Sequence, residues 1–385
     1  MARIGINEVL IYPETSGALA REFTVLPVLL ELVEMEGWEC ILYFSRDVDE
    51  AVVGRLLEGR SNVRAVRTPI PALPTHKRVL RGLTYWPRAA RRDRLDLFHT
   101  SYYPVPRLSA PTVLTVHDMR LVRMPETYGR ARYLFLRSVI PGSLRRAEGI
   151  VAVSEDTRND LVRHFGVPPE KITISHNPVS PRFARVEDGS VLDGVRRRYG
   201  LPDSFVLSVG KMEPRKNTER LIEAFASVKE RFGIGLVVAG KRDPAFGDYH
   251  DRVTRLGAER GVVFTGYVPD ADLPALYSLA SIFAYPSLHE GFGIPVLEAM
   301  ACGTPVLTSD TSALPDVAGD AAALVDPTSV ESIAAGLERI LCDEAYRELL
   351  VEKGYARARR FDGRSAAEMI VGLYKKMLFR PEPIC

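Results

Sequence analysis

The chain has 385 residues, 46% hydrophobic and 26% charged, an ordinary globular composition that is too long for one typical core. Four cysteines, Cys40, Cys302, Cys342 and Cys385, lie far apart with no CxxC pair and no zinc-site spacing, which excludes a disulfide scaffold or zinc module and suits a reducing cytosol. Net charge is only +2, yet residues 1–185 carry 27 Lys+Arg against 20 Asp+Glu, net +7, and the rest 24 against 29, net −5.

The N-terminus, MARIGINEVLIYPE, enters a strand-like apolar run that Pro13 closes, a pattern unlike a signal peptide. No apolar run reaches the roughly 18 residues a membrane span needs, so a cytoplasmic protein is expected, soluble or peripheral at the inner face of the membrane. Next, PETSGALAREF reads as a helix-entry turn with Ser16 as cap, beside Gly17. Basic residues then crowd the stretch from Lys77 to Arg146, with Lys77, Arg78, Arg81, Arg88, Arg91, Arg92 and Arg94 interrupted only by Asp93. A solvated helix face and a surface for anionic lipid or a phosphorylated acceptor both fit that charge. Nucleic acid is not expected, because no nucleic-acid-binding signature accompanies it.

Short β-branched runs alternate with helical patterns from end to end, as in parallel sheets with crossover helices on both faces. The strands of the first half are ECILYF, DLFHTS, TVLTVHD, GIVAVS and KITIS; those of the second are FVLSVG, GLVVAG, GVVFTG, IFAYPS and TPVLTS. Between them HNPVSPRFARVEDGS, rich in proline and polar residues, reads as a linker. In FDGRSAAEMIVGLYKKML, Ala366, Met369, Ile370, Leu373 and Met377 recur at helical spacing. An α/β protein is therefore expected, with two Rossmann-like doubly wound domains over 1–182 and 183–360 and a helix over 361–385. Ligands of such sheets sit outside the carboxyl ends of the strands, which makes an interdomain cleft the expected site.

Two strand ends carry chemistry. After IFAYPS comes LHEGFGIPVLEAMACGTPV, where Gly291 and Gly293 free the backbone and Pro295 suits a first helical turn. A loosened loop running into a helix N-terminus points unpaired amides and the positive dipole end at an anion, and a diphosphate fits. Glu290 and Glu298 would be repelled by it and suit sugar hydroxyls instead. The same pattern is also an ordinary helix start with acidic neighbours. After FVLSVG, the turn GKMEPRKN brings Lys211, Arg215 and Lys216 to a strand end, either to stabilise a leaving diphosphate or as solvated capping-loop cations.

EGFGIPVLE, with its E-x7-E spacing, together with GKMEPRKN, FTGYVPDADLPALYSLASIFAYPS and EAMACGTPVLTSDTSALPDVAGDAA, strongly resembles the family 4 glycosyltransferases of the GT-B fold. The likeness covers the second domain and continues more thinly through VSEDTRNDLVRHFGVPPEKI and TVLTVHDM. It implies two domains facing across a deep cleft, the terminal helix crossing back to the first, and transfer of a hexose with retention of configuration. The donor would be a GDP- or UDP-linked sugar, of mannose or glucose type by the EPRKN form, and the acceptor a sugar or lipid-linked glycan bound by the first domain. Glu290 would bond the donor sugar, Glu298 the ribose, and the main chain of Gly291, Phe292, Gly293 and Ile294 the diphosphate and sugar. Lys211 and Lys216 would take the phosphates, with Arg215 as substitute for Lys211, and the main chain at Tyr267 and Val268 the nucleobase. His117, alone a plain strand-end hydrogen-bonder, would touch the donor sugar with Asp118 orienting its ring, and Gly17 would stand for a glycine-rich loop facing the diphosphate. His117, Lys211, Lys216 and Glu290 are thus the catalytic candidates, with no nucleophile among them.

No cofactor and no metal are expected. The DxD pairs Asp47/Asp49 and Asp270/Asp272 read as structural, the latter as helix capping. No G-x-G-x-x-G supports a dehydrogenase, and AGKRD lacks the remaining P-loop residues. A phosphorylase, a sugar-nucleotide epimerase or a non-catalytic sugar-nucleotide-binding module are the alternatives.

Overall fold

The computed structural model describes residues 1–11, 17–241, 253–255, 257 and 261–379. The chain divides into two compact units, Met1–Pro178 with Gly363–Cys385, and Val179–Asp362. The divisions fall at Val179 and Gly363 rather than at 183 and 361. The physical reason is local: the Val179 amide donates to the Phe361 carbonyl at 3.0 Å, which ties both stretches to the second unit.

In the first unit β1 (Arg3–Glu8), β2 (Glu39–Phe44), β3 (Val63–Arg67), β4 (Leu97–Thr100), β5 (Thr112–Val116), β6 (Gly149–Ala152) and β7 (Ile172–Ile174) form one parallel sheet in the order β3-β2-β1-β4-β5-β6-β7. In the second, β8 (Phe205–Val209), β9 (Gly235–Ala239), β10 (Val262–Gly266), β11 (Ile282–Tyr285), β12 (Val306–Ser309) and β13 (Ala322–Val325) run parallel in the order β10-β9-β8-β11-β12-β13. Counted from its own first strand, each sheet begins 3-2-1-4-5-6. The winding reverses between β1 and β4 and again between β8 and β11, and a crevice opens at the carboxyl ends of such a pair.

Strands buried on both faces read as apolar runs, which is why β2, β8, β9 and β11 stand out in the sequence. Two edge strands are less covered: β3, VRAVR, has its apolar residues interrupted by Arg64 and Arg67 and is only partly buried, and β13, AALV, is apolar but exposes Leu324.

Under β1 and β2 the helix Gly17–Met35 buries Val25, Leu29, Leu30 and Val33 against Ala366, Ile370 and Leu373 of the helix Gly363–Leu378. Each fully buried Leu or Ile there contributes roughly 1.5–3 kcal/mol. Met369 lies outside this face, 48% exposed, because the buried stripe runs instead through Ala367, Val371 and Tyr374. In the second unit Leu221, Ile222, Phe225 and Val228 of the helix Thr218–Phe232 and Ile333, Leu337 and Ile340 of the helix Val330–Cys342 cover the sheet.

The basic helix Thr75–Arg92 is divided in use. Arg92 pairs with Asp93, and Arg78 and Arg81 donate to the Ala72 and Pro69 carbonyls. Lys77, Arg88 and Arg91 are exposed, and so are Leu73, Leu80 and Leu83. Among the described residues no helix is long and apolar enough to cross a membrane.

Candidate functional site

The turn after β8 and the loop after β11 meet where the second sheet reverses its winding. Gly210 and Gly240 let the turns after β8 and β9 approach: a Cβ on Gly240 would lie 2.0 Å from the Gly210 carbonyl oxygen. The chain then makes a short 3-10 turn, Pro214–Lys216, ending at Asn217 in the left-handed region, φ 59°. The Asn217 side-chain amide donates to the Pro286 carbonyl at 3.0 Å and the Pro327 carbonyl at 2.6 Å, and the Leu288 amide donates to the Arg215 carbonyl at 2.8 Å. These bonds fix the cationic turn against the loop that carries Glu290.

Glu290 is buried and takes both neighbouring cations. Its Oε1 accepts from Lys216 Nζ at 2.6 Å and its Oε2 lies 2.5 Å from Arg215 Nη1. Arg215 also donates to Glu213 Oε1 at 2.5 Å, and Lys216 bonds the Tyr285 hydroxyl. The four charges of Glu213, Arg215, Lys216 and Glu290 balance, so the turn is not the open cationic patch that its sequence suggests. Lys211 is exposed. The Tyr285 hydroxyl also hydrogen-bonds Glu290, so with Lys216 and Arg215 three of the carboxylate's roughly four acceptor sites are taken, which leaves room for one further hydroxyl.

Burial would raise the Glu290 carboxyl, but Arg215 and Lys216 outweigh it and hold it far below the usual carboxylate range. Lys216 is pushed down to about 8, by burial first and the Arg215 guanidinium second, with Glu290 opposing. Arg215 stays charged, since its acidic neighbours outweigh the burial.

Gly293, at φ 107°, turns the chain into the helix Ile294–Ala301, with Pro295 in the first turn. A Cβ there would stand 2.6 Å from Leu314 Cδ2. The side chains of Phe292 and Ile294 are buried, Phe292 edge-on to Phe361 at 5.6 Å, so these two residues can serve a ligand only through main chain. Ser312 Oγ accepts from the Glu290 amide at 3.1 Å. Glu298, one turn into the helix, is buried and accepts from the Tyr277 hydroxyl at 2.8 Å. Burial lifts its carboxyl to about 7, against the Tyr277 hydrogen bond.

After β10, Val268 is buried while Tyr267 is half exposed, with Lys241 Nζ 5.2 Å from its ring centroid. Asp272 heads the helix Leu273–Leu279 but makes no side-chain cap. It takes Arg198 and Tyr199 at 2.6 Å each, and Asp270 pairs with Arg182 at 2.9 Å. Asp49, by contrast, caps the helix Glu50–Leu57.

In the first unit Gly17 opens the helix Gly17–Met35, while Ser16 lies outside the described residues. His117 follows β5, and its Nδ1 has no hydrogen-bond partner among the described residues. Burial, then Arg21, pushes its imidazole down to about 4 against the pull of Asp118, so the ring is neutral at pH 7. Asp118 is turned elsewhere: its Oδ1 accepts from the Arg120 amide at 3.0 Å.

Sequence reasoning missed Tyr285, Tyr277 and Ser312, which hold Lys216, Glu298 and Glu290. The tyrosines read as core residues of IFAY and LPALYSL, and nothing in their spacing marks a polar task.

The model of glycosyl transferases group 1 matches residues 196–357, and that of glycosyltransferase family 4 matches residues 24–183. The O-antigen chain mannosyltransferase B of Escherichia coli is 34% identical over 293 residues, which cover 74% of this chain and 76% of that protein. Among solved structures, sucrose-phosphate synthase from Thermosynechococcus elongatus superposes with a TM-score of 0.75 at 22% identity, covering 98% of this chain and 99% of that one. The Anabaena protein HepE, solved with UDP and glucose, gives a TM-score of 0.75 at 18% identity, covering 98% and 100%. The alternation of strand and helix, the paired strand orders, and the acid and cation loops at one winding reversal agree with these matches, and the chain belongs to the family 4, group 1 glycosyltransferases of the GT-B fold.

Proposed function

We propose that this glycosyltransferase moves a mannose-type hexose, with retention of configuration and without a metal ion, from a nucleotide diphosphate sugar to a sugar or lipid-linked acceptor in glycan synthesis. The observation that carries this reading is the Glu290, Arg215 and Lys216 cluster beside the amides that open the helix Ile294–Ala301. Lys216 and Arg215, with Lys211 beside them, stabilise charge on the leaving diphosphate, which accepts the proton of the incoming hydroxyl. Glu290 bonds the donor sugar and is held ionised for it by the two cations. Glu298 takes the ribose, and the main chain at Tyr267 and Val268 the base. His117 and Gly17 complete the donor contacts. The EPRKN turn fits mannose or glucose alike, and the mannosyltransferase relative supports mannose; a neighbour solved with UDP and glucose keeps UDP beside GDP as the nucleotide.

The test is donor hydrolysis in EDTA across UDP-, GDP- and ADP-sugars. Glu290→Ala is expected to lower it at least tenfold, about 1.4 kcal/mol of transition-state binding. Full activity in that variant, or activity only with added metal, would overturn the assignment.

The exposed Leu73, Leu80 and Leu83 beside Lys77, Arg88 and Arg91 support peripheral contact with anionic lipid. Each basic residue near such a surface adds about 1 kcal/mol. Sedimentation with phosphatidylserine vesicles is the check: no binding would leave a solvated face, and equal binding to neutral vesicles would remove the role of the cations.

A further inference from the structure

Among the described residues three that are not glycine take a φ in the left-handed region, Arg94, Asn217 and Ser312. Side chains adopt that region rarely, and residues held there gather where function requires them. Two of the three belong to the candidate site. Asn217 ends the cationic turn and fastens it to the Pro286 and Pro327 carbonyls. Ser312, at φ 57°, lies in the turn after β12, and serine lacks the tolerance for this conformation that asparagine has.

The Ser312 hydroxyl accepts from the Glu290 amide at 3.1 Å, and the next amide, that of Ala313, donates to the Glu290 carbonyl at 3.4 Å. One turn therefore takes both main-chain polar groups of Glu290. The following residue, Leu314, is buried and closes on Gly293, its Cδ2 2.6 Å from where a Cβ would stand. Arg215, Lys216 and Tyr285 hold the carboxylate of the same glutamate. Glu290 is thus gripped at both ends. The cations keep it ionised, and the turn at Ser312 sets where its main chain stands. Misplacing a group at a reacting centre by about 1 Å can cost roughly a hundredfold in rate.

The geometry points to Ser312 as a positioning residue, kept in a left-handed backbone because there its hydroxyl and the following amide fix Glu290 for the donor sugar. The inference rests on the proposed role of Glu290 and adds the residue that sets its place. Glycine is the residue that this φ favours, and it would remove the strain together with the hydroxyl. Stability and activity should therefore part company at this position.

The test compares Ser312→Gly and Ser312→Ala with the wild type, by urea unfolding and by kcat/KM for hydrolysis of whichever UDP-, GDP- or ADP-sugar the wild type uses. Ser312→Gly is expected to unfold at a higher urea midpoint than Ser312→Ala, because alanine keeps the strain. Both variants lack the hydroxyl, and both are expected to lose about fivefold or more in kcat/KM, by similar factors. In a Glu290→Ala background the same substitutions are expected to cost nothing further, since what Ser312 positions is gone. Wild-type kcat/KM in Ser312→Gly, equal urea midpoints, or an undiminished loss in the Glu290→Ala background would each overturn the inference. Full activity in Glu290→Ala fells the donor reading itself. An impaired Glu290→Ala beside unimpaired Ser312 variants leaves that reading standing and removes only the role of Ser312.

Discussion

Lys216 Nζ and Glu290 Oε1 lie 2.6 Å apart although 74 residues separate them in the chain, and both side chains are nearly buried. The pair therefore joins the turn Pro214–Lys216 to the loop that carries Glu290 by charge as well as by backbone. Taking away one member of a buried pair leaves the other unpaired, at about 3–5 kcal/mol. Glu290→Ala and Lys216→Met are each expected to lower urea stability on that scale, and the double variant to lose clearly less than their sum, with coupling above about 1 kcal/mol. Additive losses in the double-mutant cycle would mean that the two side chains do not act together.

Nucleotide binding is expected to follow a narrow bell in pH. In the proposed roles Glu298, lifted to about 7, loses on the acid side the charge that would accept the ribose, and Lys216, lowered to about 8, loses its proton on the alkaline side. The thermal shift produced by GDP or UDP should be largest between these values. Glu298→Gln removes the acid limb. A profile level from pH 6 to 9 contradicts both assignments.

Glu298 also links folding to pH, with a definite sign. Its folded carboxyl is raised from 4.5 to about 7, so its contribution to stability is fully present below 4.5 and is lost as pH climbs through about 7. Between those values the wild type should lose stability relative to Glu298→Gln, read as diverging urea midpoints. Parallel midpoints would place the titration elsewhere.

Gly293→Ala meets two obstacles, a φ of 107° and Leu314 Cδ2 at 2.6 Å from the new methyl. Backbone strain of this kind costs about 1–3 kcal/mol. Adding Leu314→Ala should relieve the clash and leave the backbone part, so rescue of stability in urea is expected to be partial. Complete rescue would show that φ at this position carries no cost.

The sheets and the loops at two strand ends were legible in the sequence because both are local in character. Apolar runs such as FVLSVG and IFAYPS announce strands buried on two faces, and Gly291, Gly293 and Pro295 announce a loop entering a helix. What escaped was long-range or two-sided. The edge strand β3 has its apolar residues broken by Arg64 and Arg67, β13 is only four residues long and half alanine, and Met369 matched the helical period yet falls just off the stripe centred on Ile370 and Tyr374. Glu290 read as a sugar ligand, but its capture by Lys216 and Arg215 depends on the winding of the sheet, which no spacing encodes. Asp272 read as a cap and is drawn away by Arg198 and Tyr199, 74 and 73 residues distant.

The bonds from Leu288 to Arg215 and from Asn217 to Pro286 have a consequence for engineering. Neither the cationic turn nor the acidic loop is portable on its own, because each sets the height of the other above the sheet. In a chimera between relatives, residues 210–217 and 285–293 form one cassette, to be exchanged together, and a one-residue insertion in either half needs a matching change in the other before nucleotide binding returns.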